Sequence, residues 1–202
     1  LEPRDYQLEA FVHAVQQRRA LLLSPTASGK SFIIFLLVMY SLMKTNGRTL
    51  IVVPTTSLVH QMISDFQSYT QMDIRHLSQK IMEGHSNHIN KKIVVSTWQS
   101  IYRLPRKWFD QFNIVVGDEA HLFKSKSLTT ILSKLVTCDY RYGFTGTLDG
   151  THTHRLVLEG IFGPVRKVTT TAELIEKKHV ADFLINCIVL QYTKEERDLL
   201  KK

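Results

Sequence analysis

An α/β domain built on a mostly parallel sheet, with helices on both faces, is the fold class this sequence predicts, and three features predict it. Apolar runs of strand length recur along the chain, at Ala20 onward, Thr49 to Val53, Lys92 to Ser96, Asn113 to Gly117 and Tyr140 to Phe144. Segments of helical periodicity separate several of these runs, which is the alternation of parallel sheets. Each run also ends in a short polar corner, and ligands of open α/β sheets bind outside the carboxyl ends of strands.

The first corner carries the clearest chemistry. Ala20 onward leads through Ser24-Pro25-Thr26-Ala27-Ser28 to Gly29-Lys30-Ser31, and an apolar helical segment follows from Phe32 to Met43. Strand, short loop and helix in that order make a phosphate-binding loop. Backbone N–H groups and the helix N-terminus would face a polyphosphate, Lys30 would reach its β and γ phosphates, and the Ser31 hydroxyl would sit on Mg²⁺. Ser24 stands where the general pattern GxxxxGK[ST] has its first Gly.

The strand Asn113 to Gly117 delivers Asp118-Glu119-Ala120-His121 at its carboxyl end. Asp118 would hold Mg²⁺ through its water shell, and Glu119 would orient and deprotonate an attacking water. The bland alternative is a helix start, with Asp118 as its cap and Glu119 favouring its positive end.

Taken together, Ser-Pro-Thr-Ala-Ser-Gly-Lys-Ser and Asp-Glu-Ala-His resemble the first nucleotide-binding lobe of a superfamily 2 helicase, in which a non-Gly residue commonly opens the loop. The resemblance covers nearly the whole chain. It implies a RecA-like lobe, ATP with Mg²⁺ as cofactors, and catalytic roles for Lys30, Asp118, Glu119 and His121. It assigns the nucleotide to Pro25, Thr26, Ala27, Ser28, Gly29, Lys30 and Ser31, and the metal to Ser31 and Asp118.

Other corners extend the resemblance. Asp5 to Arg19 has a helical stripe of Leu8, Phe11, Val12 and Val15, and Arg4-x-x-Gln7, at its start and upstream of the phosphate loop's strand, resembles the family's adenine-reading motif. A side-chain amide can pair with both the N6 donor and the N7 acceptor of adenine, although a solvated first helical turn would show the same residues. Pro54-Thr55-Thr56-Ser57 precedes an amphipathic helix running to about Tyr69, with Ser57 as its expected N-cap. Pro54, Thr55 and Thr56 fall where the family holds nucleic-acid phosphates, and Thr97-Trp98-Gln99-Ser100 match its second contact motif. Trp98 can stack on a base or belong to the core. Thr145-Gly146-Thr147 resembles the motif that couples nucleotide state, through His121, to the nucleic-acid side.

The remaining segments carry weaker signals. Asp73 to Leu77 reads as a short strand, Ser78 to Lys92 as a polar loop, and about Leu128 to Val136 as a helix. A short helix to about Gly160, a strand near Val165 to Val168 and a helix over Ala172 to Lys178 follow. Phe183 to Tyr192 reads as extended, and Lys194 to Lys202 as a charged helix. His85 with His88, and His152 with His154, lack further metal ligands nearby and read as loop residues. Arg103, Arg106 and Lys107 around Pro105, with Trp108 and Phe109 beyond, suit either a polynucleotide face or a solvated charge run. Lys124 and Lys126 add a second basic segment.

Length and composition agree with these assignments. The chain has 202 residues, 44% hydrophobic and 22% charged, enough for one domain with a sizeable core. Its 26 Lys and Arg outnumber 18 acidic residues for a net charge of +8, which favours a polyanionic partner. Cys138 and Cys187 each sit in apolar context and read as reduced core residues of an intracellular protein. Phe32 to Met43 is too short to cross a bilayer, so no membrane role is expected.

The absence of an initiating Met, and a start inside a motif, suggest a piece of a longer protein. Residues 1–168 read as the ATP-binding lobe and 169–202 as the segment leading toward a second lobe of the same polypeptide. In superfamily 2 the nucleotide lies between two such lobes, the second supplying an arginine finger. The expected activity is that of an ATP-dependent DNA helicase or translocase, weak in this piece alone. Single-stranded, duplex or branched DNA and RNA–DNA hybrids are the partners the resemblance implies, in recombination, replication and repair. An RNA helicase of the DEAH-box type, a small-molecule kinase and a nucleotide-switched binding module are the alternatives.

Overall fold

In a computed structural model, which describes residues 1–45, 47–82, 86–122, 125–148 and 152–182, the chain forms a seven-stranded sheet between two layers of helices. In chain order the elements are α1 (Asp5–Gln17), β1 (Arg19–Leu23), α2 (Lys30–Thr45), β2 (Arg48–Val53), α3 (Thr56–Tyr69), α4 (Ile74–Leu77) and β3 (Ser78–Ile81). There follow β4 (Ile93–Thr97), α5 (Trp98–Ile101), α6 (Arg106–Phe109), β5 (Phe112–Gly117), a 3-10 turn (Ala120–Leu122) and α7 (Ser125–Lys134). The last are β6 (Tyr140–Thr145), α8 (His152–Phe162), β7 (Val165–Lys167) and α9 (Thr171–Glu176). The strand order is β3-β4-β2-β5-β6-β1-β7, and every pairing is parallel.

Strand alternation divides the core. Ala20 and Leu22 of β1, Ile51 and Val53 of β2, and Ile93 and Val95 of β4 pack on α1, α2 and α3 through Ala14, Ile33, Leu37, Val59 and Phe66. Leu21, Leu50, Val52 and Val94 face the opposite layer, where Ile101, Phe109, Ile131, Leu158 and Phe162 lie. A sheet covered on both faces needs strands apolar at every position, which is why β1, β2 and β4 read as continuous runs. Gly143 of β6 is where α8 comes closest: a Cβ there would lie 2.7 Å from Phe162 Cδ2 and 2.8 Å from Leu21 Cδ1.

Several boundaries differ from the sequence-based expectation. Ile74–Leu77 is a helical turn rather than a strand, because the Asp73 carboxylate accepts from the His76 N–H at 3.0 Å and caps it. The strand begins one residue later, at Ser78, inside the segment expected as loop; its polar side chains disguise a strand that, among the described residues, lies at the sheet edge and pairs with β4 alone. Thr55, not Ser57, caps α3, its Oγ1 accepting from Leu58 N at 3.4 Å. Trp108 and Phe109, which follow the basic stretch around Pro105, are buried in the helix α6 and belong to the core.

Cys138 is buried and unpaired, and burial pushes its thiol pKa up to about 12. Cys187, His85, the Lys124 and Lys126 side chains, those of His152 and His154, and the segments expected at 183–192 and 194–202 lie outside the described residues. Among the described residues no helix is long and apolar enough to cross a membrane.

Gly143→Ala should destabilise the domain by about 1–3 kcal/mol, since the added methyl is wedged between packed rings and side chains. Urea unfolding of the variant against the parent measures it. An unchanged midpoint would mean α8 does not sit tightly on β6.

Candidate functional site

Parallel pairing brings the polar corners to one edge. Leu23 lies opposite Thr145 and Val53 opposite Thr97, while Val52 lies opposite Gly117, so the loops after β1, β6, β5, β2 and β4 leave the sheet side by side. Ser24 N donates to Thr145 O and Asp118 N to Val52 O, each at 2.9 Å, which ties neighbouring corners together.

The loop after β1 is held by hydrogen bonds from within and behind. Ser28 Oγ donates to Pro25 O at 2.6 Å, so the 2.6 Å contact between the Ser24 and Ser28 hydroxyls uses the Ser24 hydrogen. Both serines are fully buried, and Ser24, standing in place of the motif's Gly, supplies a donor inside the loop. Ser28 O accepts from Tyr6 Oη and Gln7 Nε2, both at 2.9 Å. Ala27 and Gly29 take left-handed φ values of +64° and +78°. Left-handed residues at alternate positions turn backbone N–H groups toward one side, the geometry of anion-binding nests.

Gln7 is buried, its Oε1 accepting from Arg4 N at 3.0 Å. Its amide therefore braces the loop and the start of α1. Arg4 is exposed, with Nη1 donating to Tyr6 Oη at 3.0 Å.

Across the loop, Lys30 Nζ donates to Glu119 in a close ion pair. Glu119 has a left-handed φ of +50°, and its N–H donates to Asp118 Oδ1 at 3.0 Å. His121 Nδ1 lies 3.5 Å from Glu119 and 2.7 Å from Thr145 Oγ1. The Thr145 hydroxyl donates to Thr147 O at 2.5 Å, so it accepts from His121 and the imidazole proton sits on Nδ1. Lys30, Glu119, His121 and Thr145 thus form one chain spanning β1, β5 and β6. Gly146 lies beside it, a Cβ there falling 3.9 Å from Lys30 Nζ.

A hollow of about 270 Å³ lies over this arrangement, lined in part by Thr26, Gly29, Lys30, Ser31, Asp118 and Glu119. Asp65, Gln61 and Met62 of α3 line it too, and the sequence reading missed them. The Ser31 and Tyr69 hydroxyls are 2.7 Å apart, with Tyr69 seated 5.0 Å from the Phe32 ring. The signal for Asp65 and Tyr69 was their spacing of one turn on α3, but only packing shows which face of α3 meets the loop. Asp118 is 7% exposed. Burial pushes its pKa up from 3.8 to about 6; Lys30 opposes the rise, and Glu119 adds to it. Ser31 and Asp118 offer a hydroxyl and a carboxylate, hard oxygen donors of the kind Mg²⁺ takes when substrate oxygens and water complete its shell.

A larger groove of about 770 Å³ runs between the β2 and β4 corners. It brings together Pro54, Thr55, Thr56, Thr97, Trp98, Gln99 and Ser100, and adds Asn87, Tyr102 and Arg103. Gln99 Nε2 reaches Pro54 O at 3.5 Å, and the Thr97 and Ser100 hydroxyls are 2.8 Å apart. Trp98 is half-buried at the groove, its ring 6.1 Å from that of Tyr102.

A parallel sheet whose carboxyl edge carries a glycine-lysine-serine loop beside an acidic corner defines a RecA-like P-loop NTPase lobe. Residues 1–150 match the family ResIII, described as type III restriction enzyme, res subunit, and the chain belongs to that family. It is 37% identical, over its full length, to the ATP-dependent DNA helicase uvsW of Enterobacteria phage T4, and covers 41% of that protein. It is 30% identical over 98% of its length to the DNA 3'-5' translocase XPB2 of Sulfurisphaera tokodaii, covering 42% of it. A crystal structure of the UvsW helicase from bacteriophage T4 superposes with a TM-score of 0.76 at 37% identity, over 83% of this chain and 60% of that one. The chain therefore spans less than half the length of these curated relatives.

The raised Asp118 pKa gives a pH-dependent stability. The folded chain binds this proton more tightly than the unfolded chain, so the stabilisation is present below about pH 4 and lost as pH rises through about 6. Near neutral pH the ionised, desolvated carboxylate costs about 3 kcal/mol. Without nucleotide, Asp118→Asn should unfold at higher urea than the parent at neutral pH, with the gap closing in acid. A gap independent of pH would remove burial of this charge as its cause.

Proposed function

We propose that this chain is the ATP-binding lobe of a DNA helicase or translocase. The observation that carries the proposal is the continuous link from Lys30 through Glu119 and His121 to Thr145, beside a groove that gathers the polar residues of two neighbouring corners. The names of the relatives support DNA as the polymer moved. Their greater length supports a second lobe completing the cleft in the same polypeptide.

In this reading ATP lies over Gly29 to Ser31, the nest and the α2 N-terminus receive its phosphates, and Lys30 exchanges Glu119 for phosphate oxygens. Glu119, released, accepts a proton from the attacking water. His121 then shifts its contacts between Glu119 and Thr145, which connects the nucleotide side to β6 and its neighbours. Mg²⁺ bound by Ser31 and Asp118 would neutralise phosphate charge. Thr55, Thr56 and the 97–100 corner hold the backbone of one strand, so binding is salt-dependent and indifferent to sequence.

Residues 1–168 would constitute the lobe, and 169–202 would lead to its partner. Leu174 is buried and the His179 ring lies 6.4 Å from Tyr6, so this segment starts close to a residue that braces the loop. Branched DNA and RNA–DNA hybrids are the proposed substrates in recombination, replication and repair. The setting would be intracellular, and the bacterial host cytoplasm if the chain is phage-encoded.

ATPase rates of this chain and of a longer protein carrying the second lobe, each with single-stranded, duplex and branched DNA and with RNA, test the proposal. Activity confined to the longer protein and stimulated most by DNA is the expected result; full DNA-independent turnover by the short chain would overturn it. In the longer protein, Lys30→Ala should abolish hydrolysis. Glu119→Gln should retain ATP binding while turnover falls by about 10²–10⁴-fold, as for loss of a general base. Loss of binding by Glu119→Gln would make that residue structural.

A further inference from the structure

Positive charge also gathers in a hollow outside both the nucleotide loop and the groove, on the flank where α3 packs beside the edge strand β3. It encloses about 350 Å³ and is lined by His60, Ile63 and Ser64 of α3, Arg75 of α4, and Ser78 and Lys80 of β3. His60 and Ser64 are one helical turn apart, and Ser78 and Lys80 alternate along a strand, so each pair shares a face. Lys80 Nζ donates to His60 Nδ1 at 2.8 Å, which leaves the imidazole proton on Nε2 as a further donor. Among the described residues neither Arg75 nor Lys80 has an ion pair, and no carboxylate lines the hollow. Two unneutralised cations, an N–H donor and two hydroxyls facing one hollow form a wall suited to a phosphate oxyanion.

We propose that this hollow binds a backbone phosphate of the nucleic acid whose neighbouring phosphates lie in the groove. The inference rests on the groove being a nucleic-acid site. Position supports it: Thr56, at the groove, opens α3, and His60 follows one turn later, about 6 Å along the helix. From the other side, Lys80 pairs in register with Val95, two residues before the Thr97 corner. The hollow therefore continues the line of the β2 and β4 corners onto the last strand of the sheet.

Arg75 is exposed and Lys80 half-buried, and neither belongs to the nucleotide loop or the groove, so charge removal here leaves both intact. Binding of a tailed DNA duplex to the chain, titrated over a range of salt, is the test. The double variant Arg75→Gln/Lys80→Gln should bind with a log affinity against log salt slope shallower by about 0.7–0.9 per lost phosphate contact. Arg75→Lys/Lys80→Arg should keep the parental slope. An unchanged slope in the Gln variant, with the parent binding normally, overturns the inference and leaves the helicase reading standing. A parent with no salt-dependent binding overturns both. Inorganic phosphate protecting the parent but not the Gln variant from thermal unfolding, with equal DNA slopes, would assign the hollow to a free anion and overturn the DNA assignment.

Discussion

Parallel pairing of every strand among the described residues is the constraint on which the rest of this molecule depends. A parallel strand can be reached only by a crossover that returns the chain to the starting edge, so each strand releases its loop at the same carboxyl edge. The β5-β6-β1 order then does the chemical work of the fold. With β6 between the other two, Lys30 reaches Glu119 across the top of β6, and the β6 hydroxyl of Thr145 meets His121.

The electrostatics of this edge set burial against function. Asp118 is held almost without solvent, and its carboxyl is harder to ionise as a result. A desolvated carboxylate close to a lysine is unfavourable for the fold alone but well placed to attract a cation, the trade-off common at functional sites. Lys30 is less exposed to this cost because Glu119 neutralises it when no phosphate is present. One ion pair thereby stabilises the site and keeps both partners within reach of the substrate.

Bracing from behind is equally a matter of packing. Tyr6 and Gln7 both donate to the Ser28 carbonyl, and the first turn of α1 therefore fixes the height of the phosphate-binding loop. Tyr69, seated against Phe32 and Phe35, meets Ser31 from the far end of α3. Tyr6 fills an unspecified position of Arg4-x-x-Gln7, and Tyr69 belongs to no motif. Each is an aromatic residue on an amphipathic helix until the helices are docked.

Periodicity and corner chemistry were enough, in the sequence, to specify a parallel α/β lobe and the loops bearing Lys30, Asp118, His121, Thr55, Thr97 and Thr145. Such signals are local: a strand between helices, a glycine before a lysine, and two acids after a buried run are visible within a few residues. Local signals misled where a side chain outweighed a pattern, as with the Asp73 cap that turned an expected strand into a helical turn. They also failed where polar residues on an edge strand concealed β3. Only the tertiary structure decided which strand lies between β5 and β1, which face of α3 meets the loop, and that Gln7 braces a backbone carbonyl. Strand order and helix docking arise from side chains distant in sequence burying one another, and short-range patterns do not encode those pairings.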